Sequence, residues 1–243
     1  MTKPLLERQV SLIEHMTSGA AIFGRGNGAA DLEGINGALL RVEAQFSYAR
    51  RMEKITAVLP RTFELLGSSR DGHVRAFVES CPPTTLSRFE NACQFHRFLV
   101  SRWSREAPDP PHICDVAAFE IACSKVDGDP EQHSSDRMTD ADRAHSGCIR
   151  RCANIILLRC TYDIRPIFET ASEKVVPTKR DTPLVVALPP GADGPQVFEV
   201  VPAIFDLLAA LDDWTDPLAL PVEPEFAKLL ADLTAAGLVE VRP

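Results

Sequence analysis

No apolar run in this chain approaches the roughly 20 residues that a bilayer-spanning helix requires. The first residues, MTKPLLERQVSLIEHM, include Glu7 and Glu14 and no uninterrupted apolar core, so they do not read as a secretory signal. A cytoplasmic location is the expectation. HExxH, GxSxG and CGxCW are all missing, as are the paired CxxC or HxxxH motifs that hold zinc. Seven cysteines are an odd number, which speaks against a disulfide framework and for reduced thiols. Basic residues are also in deficit. Lys and Arg number 26 against 34 Asp and Glu, a net charge of −8.

That deficit is local. Residues 184–243 hold ten carboxylates against Lys228 and Arg242, so the preceding 183 residues are neutral. A nucleic-acid surface neutralises phosphates with Lys and Arg, so an acidic module is badly suited to that partner and better suited to a peptide.

Apolar spacing predicts a helix over 4–17. A glycine-rich stretch at 19–37 reads as a loop or connector. Helical spacing resumes from Ala38 to Leu66, broken at Pro60 and stopped at Gly67. Further helices are expected over 71–79 and 84–103, ending before Pro110 and Pro111, and over CDVAAFEIACSKV with Asp115 as its N-cap. Residues 125–147 are polar and turn-rich and read as an exposed loop. Beyond them the period becomes strand-like in ANIILLRCTYDI, TPLVVAL and QVFEVV. Two helices, AIFDLLAALDD and PEFAKLLADLTAA, and a last strand LVEVRP complete the chain. The expectation is an α+β protein with a helical domain over 1–124, a polar linker over 125–152, and a small α+β domain of winged-helix type over 153–243.

Candidate chemistry is thin. Phe-Gly-Arg-Gly-Asn-Gly at 23–28 mimics a phosphate loop, but a helix precedes it and no Lys-Ser/Thr follows, so a connector is the better reading. Cys148 and Cys152 have the spacing of two ligands on one helical turn, with His133 and His145 nearby. Zinc sites show two tight pairs and this chain has none, so small packed thiols are the better reading. Arg50, Arg51 and Lys54 form a basic strip that is either a solvated helix face or a docking face for an acidic partner. No catalytic constellation emerges, and no metal or cofactor site is expected in this chain.

Several segments together resemble a known family. RRMEKITAVLPRTFELLG, CPPTTLSRFENACQFHRFLVSRW and CDVAAFEIA are similar to the N-terminal helical domain of bacterial partner proteins that accompany multinuclear non-heme iron oxidases. Those oxidases modify cysteines in ribosomally made peptides. The methanobactin and thiaglutamate partner subunits belong to this group. TYDIRPIFE at 161–169 fits the strand entering such a protein's C-terminal domain. LVVALPPGADGPQVFEVVPAIFDLLAALDDW and LLADLTAAGLVEV resemble its precursor-recognition element, also seen in the pyrroloquinoline-quinone peptide chaperone.

The resemblance implies a non-catalytic half of a heterodimer, with iron in the partner. A leader peptide would add a strand at Val197, Phe198, Glu199 and Val200, beside a groove lined by Phe226, Leu229, Leu230, Asp232 and Leu233. Glu199, Asp232 and Glu240 would read basic leader positions. Proline at Val200 is expected to remove a donor from that edge. Arg50, Arg51, Lys54, Tyr162 and Asp163 would face the oxidase. The competing classes are a winged-helix transcription regulator, disfavoured because PEFAKLLADL has one Lys against two acids, and an independent enzyme.

Overall fold

Pro60 splits one long helical stretch in two. Helices α3 (Gly37–Val58) and α4 (Pro60–Leu66) meet at Leu59, whose backbone leaves the helical region at φ −119° and ψ 46°. Proline disfavours helix in the residue before it, and at the first position of α4 its missing N–H had no intrahelical partner. Leu59 is fully buried, so the break sits in the core. Asn36 caps α3 by accepting the N–H groups of Ala38 and Leu39. Gly67 ends α4 at φ 49°, a region that L side chains rarely adopt.

In this computed structural model, residues 4–24, 36–128, 147–169, 175–189, 191–220 and 226–242 are described. The chain is α+β, with helices toward the N-terminus and small sheets toward the C-terminus. It forms two compact units, Met1–Ile121 and Ala122–Pro243.

The first unit begins with α1 (Leu5–Thr17) and α2 (Gly19–Ile22), continues through α3 and α4 to α5 (Arg70–Ser80) and α6 (Arg88–Trp103), and ends in α7 (Ile113–Asp127), which crosses the boundary. The glycine-rich stretch, expected as a loop, thus opens with a helical turn. Gly19 is needed there because a Cβ would stand 2.9 Å from the Cα of Glu79 on α5. Residues 25–35 lie outside the described ones. Helix α6 starts at Arg88, after the Ser87 cap, rather than at 84. Helix α7 starts at Ile113, so Asp115 is not the N-cap but an acid of the first turn, where it still favours the helix dipole. Phe77 and Phe95 anchor the core with ring centroids 5.0 Å apart, and Phe63 and Phe98 pack around them.

The second unit holds β1 (Ile149–Arg151), β2 (Ile155–Asp163), α8 (Arg165–Glu169), β3 (Thr178–Ala187), β4 (Gln196–Glu199), α9 (Pro202–Ala210), α10 (Phe226–Ala235) and β5 (Val239–Val241). Residues 149–151, expected within a linker, instead pair antiparallel with β5. Their period is too short to announce a strand, and only the partner 90 residues away makes one. Strands β2, β3 and β4 form a separate antiparallel sheet in that order. Thr182–Ala187 of the central strand are buried in an unbroken run, the mark of a strand covered on both faces. Ile155, Val185 and Ala187 share a core with Leu208, Leu211, Leu233 and Leu238. Among the described residues, no helix is long and apolar enough to cross a membrane.

Candidate functional site

Strand β4 is bonded only to β3 among the described residues and so presents an open edge. The register pairs Leu184 with Glu199, Val185 with Phe198 and Val186 with Val197. Val200 donates its N–H to the carbonyl of Pro183 at 3.1 Å, toward β3. In an antiparallel ladder the bonding direction alternates along the strand. The main-chain groups of Phe198 therefore face β3 like those of Val200, and those of Val197 and Glu199 face outward. The expectation that Val200 supplies an edge donor is corrected by this register. The edge donors are Val197 and Glu199.

Side chains divide by the same period. Phe198 and Val200 pack against the core of the second unit, as do Phe226, Leu229 and Leu230 of α10. Leu233, 6% exposed, belongs to that core and presents nothing to a groove. Asp232 is exposed.

Glu199 is not a waiting carboxylate. Arg165 and Arg180 both bridge Glu199 and Asp163, with Arg165 Nη2 and Arg180 Nη1 each 2.5 Å from Glu199. The same two guanidinium groups lie 2.7 and 2.6 Å from Asp163 Oδ2. Hydrogen bonding from Arg165 holds the Asp163 carboxyl well below the usual carboxylate range, and Arg180 does the same for Glu199. This quartet ties the end of β2, α8, β3 and β4 together and stiffens the edge. Asp163, expected to face a partner, is engaged here instead, and Glu199 is not free to read a basic leader. Glu240 likewise pairs with Arg150 at 2.8 Å. Tyr162 is half-buried on β2, opposite Lys179.

The basic strip on α3 separates into unlike members. Arg50 is exposed. Arg51, 8% exposed, is no surface residue, which corrects its assignment to a partner interface. It donates from Nε to Asn91 Oδ1 at 3.0 Å, from Nη1 to the Cys81 carbonyl at 2.8 Å and from Nη2 to Gln94 Oε1 at 2.7 Å. Its guanidinium lies 4.4 Å from the Phe77 ring centroid. Burial lowers its pKa, and no carboxylate pairs with it among the described residues. Lys54 is half-buried and donates to the Leu86 carbonyl at 2.7 Å.

Cys148 and Cys152 flank strand β1 rather than lying on a helical turn, so extended spacing separates them. Burial pushes the Cys152 thiol up to about 11, which keeps it protonated and unreactive. His133 and His145 lie outside the described residues. Among the described residues no three His, Cys, Asp or Glu side chains converge as a metal-binding group. A concavity of about 470 Å³ in the first unit is lined by Ser69, His73, Arg102, Glu106 and Asp109, charges of both signs.

Glu120, which the sequence alone reads as a surface carboxylate, is instead 5% exposed and accepts the N–H groups of Arg61 and Thr62 and the Thr62 hydroxyl at 2.7, 3.0 and 2.6 Å. It caps α4 from a distant helix. The only signal was a carboxylate in the apolar run AAFEIA, opposite no partner visible in sequence. No protein-family model matches this chain, and no curated protein matches it either.

Proposed function

We propose that this chain is a non-catalytic subunit that binds the leader of a ribosomally made precursor peptide and presents its cysteine to a partner multinuclear non-heme iron oxidase. On this reading the second unit is a winged-helix-like precursor-recognition element. The open β4 edge carries the proposal. An extended peptide can add a strand to such an edge, with main-chain bonds supplying affinity and flanking side chains supplying specificity. The Asp163–Arg165–Arg180–Glu199 quartet favours it by holding β4 in place before any ligand arrives. Half-buried Phe226, Leu229 and Leu230 offer apolar contacts on α10. The iron belongs to the oxidase in this proposal and has no ligands here.

Affinity purification of the tagged chain from its own cells, with mass spectrometry and metal analysis, is the test. A stoichiometric iron protein together with a short cysteine-bearing peptide is expected. Recovery of the chain with DNA, or with tightly held iron in the chain alone, would sink the reading.

The register sharpens a second measurement, with the recovered peptide resynthesised for titration. Val197→Pro removes an outward N–H, at a strand position where proline is tolerated, and should weaken the peptide about tenfold. Val200→Pro instead breaks the bond to Pro183 and should lower the melting temperature. A folded Val197→Pro variant with unchanged affinity removes the edge from consideration.

A further inference from the structure

The first unit carries a cleft of about 720 Å³ between α1, α3 and the loop 82–87, and its lining is unusual in two respects. Arg50, Arg51 and Lys54 line it against a single carboxylate, Glu43. None of those three cations is paired with a carboxylate among the described residues, although Arg51 is more than nine-tenths buried. Arg51 is solvated by neutral carbonyls and the Phe77 ring, so the positive charge of this wall is left without an internal counter-charge among the described residues.

The rim is apolar and unsatisfied. Phe46 is 59% exposed, Ile13 57% and Leu86 88%. Leu39, Glu43, Phe46, Arg50 and Lys54 recur at spacings of three and four along α3, so one helix face runs from apolar at its start to basic at its end. The wall opposite is preorganised. Arg51 holds the Cys81 carbonyl, Gln94 holds that of Pro82, Asn91 that of Thr85 and Lys54 that of Leu86. A loop tied down at four successive points is a rigid surface rather than a filler.

We infer that this cleft docks an amphipathic segment of a partner protein, whose apolar side chains cover Phe46, Ile13 and Leu86 and whose carboxylates reach Arg50 and Lys54. The inference rests on the reading of the chain as a docking subunit, and it adds the chemistry of what is docked. Charge complementarity selects the occupant. A basic segment would meet three like charges, and a purely apolar one would leave them uncompensated.

The test uses the full chain and three fluorescein-labelled designed helical peptides. One carries Leu at i, i+3, i+4 and i+7 followed by glutamates. The second replaces each glutamate with lysine, and the third scrambles the first. Fluorescence anisotropy should detect the acidic peptide alone, with affinity falling as salt rises from 50 to 300 mM. Arg50→Glu and Phe46→Ser, both at exposed positions, should each weaken it about tenfold while leaving the circular dichroism spectrum and melting temperature unchanged. Equal binding of the lysine or scrambled peptide, or no binding by the acidic one, overturns the inference. Retention of the oxidase by an Arg50→Glu, Phe46→Ser chain would overturn it too, while leaving the partner reading intact.

Discussion

Arg51→Ala should lower the stability of the helical unit by about 3 kcal/mol, from the balance of two opposing effects. Removing the side chain relieves the desolvation of a buried cation, which is what pushes its pKa down. Against that, three acceptors lose their donor. Asn91 is 2% exposed and its Oδ1 cannot turn to water, whereas Gln94 and the Cys81 carbonyl are only half-buried. The stacking over Phe77 also goes, from beside the aromatic centre of the core. Because the acceptors stay when the cation leaves, the loss wins. Arg51→Lys should rescue little, since an ammonium cannot reproduce the planar three-way fork. Urea unfolding followed at Trp103, in the first unit, measures the effect, and Trp214 reports the second unit. A loss below 1 kcal/mol would mean the loop 82–87 needs no clamp.

Glu120→Ala should cost about 4 kcal/mol, since two N–H groups of α4 and a buried hydroxyl lose their acceptor together. Thr62 is fully buried, so no water can substitute at its hydroxyl. Glu120 also sets a pH dependence. Burial raises its carboxyl to about 7, outweighing the hydrogen bonds from Thr62 and Arg61 that lower it, and Glu64 adds a small upward push. Its folded pKa lies above the unfolded value near 4.3, so its stabilisation is complete below that value and is lost as pH rises through about 7. His73, His96 and His112 run the other way, because burial lowers their pKa and their stabilisation is lost on acidification below about 6.5. Comparison with Glu120→Gln separates the two. From pH 5 to pH 8 the wild type should lose up to about 3 kcal/mol relative to that variant. A difference that stays flat with pH would show that Glu120 remains ionised throughout.

The second unit answers acid differently. Asp163 and Glu199 are held low by their arginines, so the stabilisation they provide is present above the ordinary carboxylate range and fades as pH falls through it. Both carboxylates came from the sequence as interaction residues, and both are occupied within the fold. Spacing along a strand reports which face a side chain takes, and it carries no information on arginines 17 or more residues away in the chain or across a turn.

What the sequence determined by itself is local. Pro60 broke a helix, Gly67 and Gly237 stopped two others at positive φ, and β-branched runs made β2 and β3, because backbone sterics and periodicity act within a few residues. The concentration of carboxylates after residue 184 and the α+β order of elements follow from composition and pattern alone. The tertiary structure decided everything that depends on a partner far along the chain. It made Ile149–Arg151 a strand by pairing them with β5, sank Arg51 among Asn91, Gln94 and Cys81, and set Glu120 on the start of α4. It also turned the N–H of Val200 inward and those of Val197 and Glu199 outward. Sequence can name a polar residue, but whether it faces solvent, a ligand or a buried acceptor is settled by packing, since burial turns an ordinary hydrogen bond into an obligatory one.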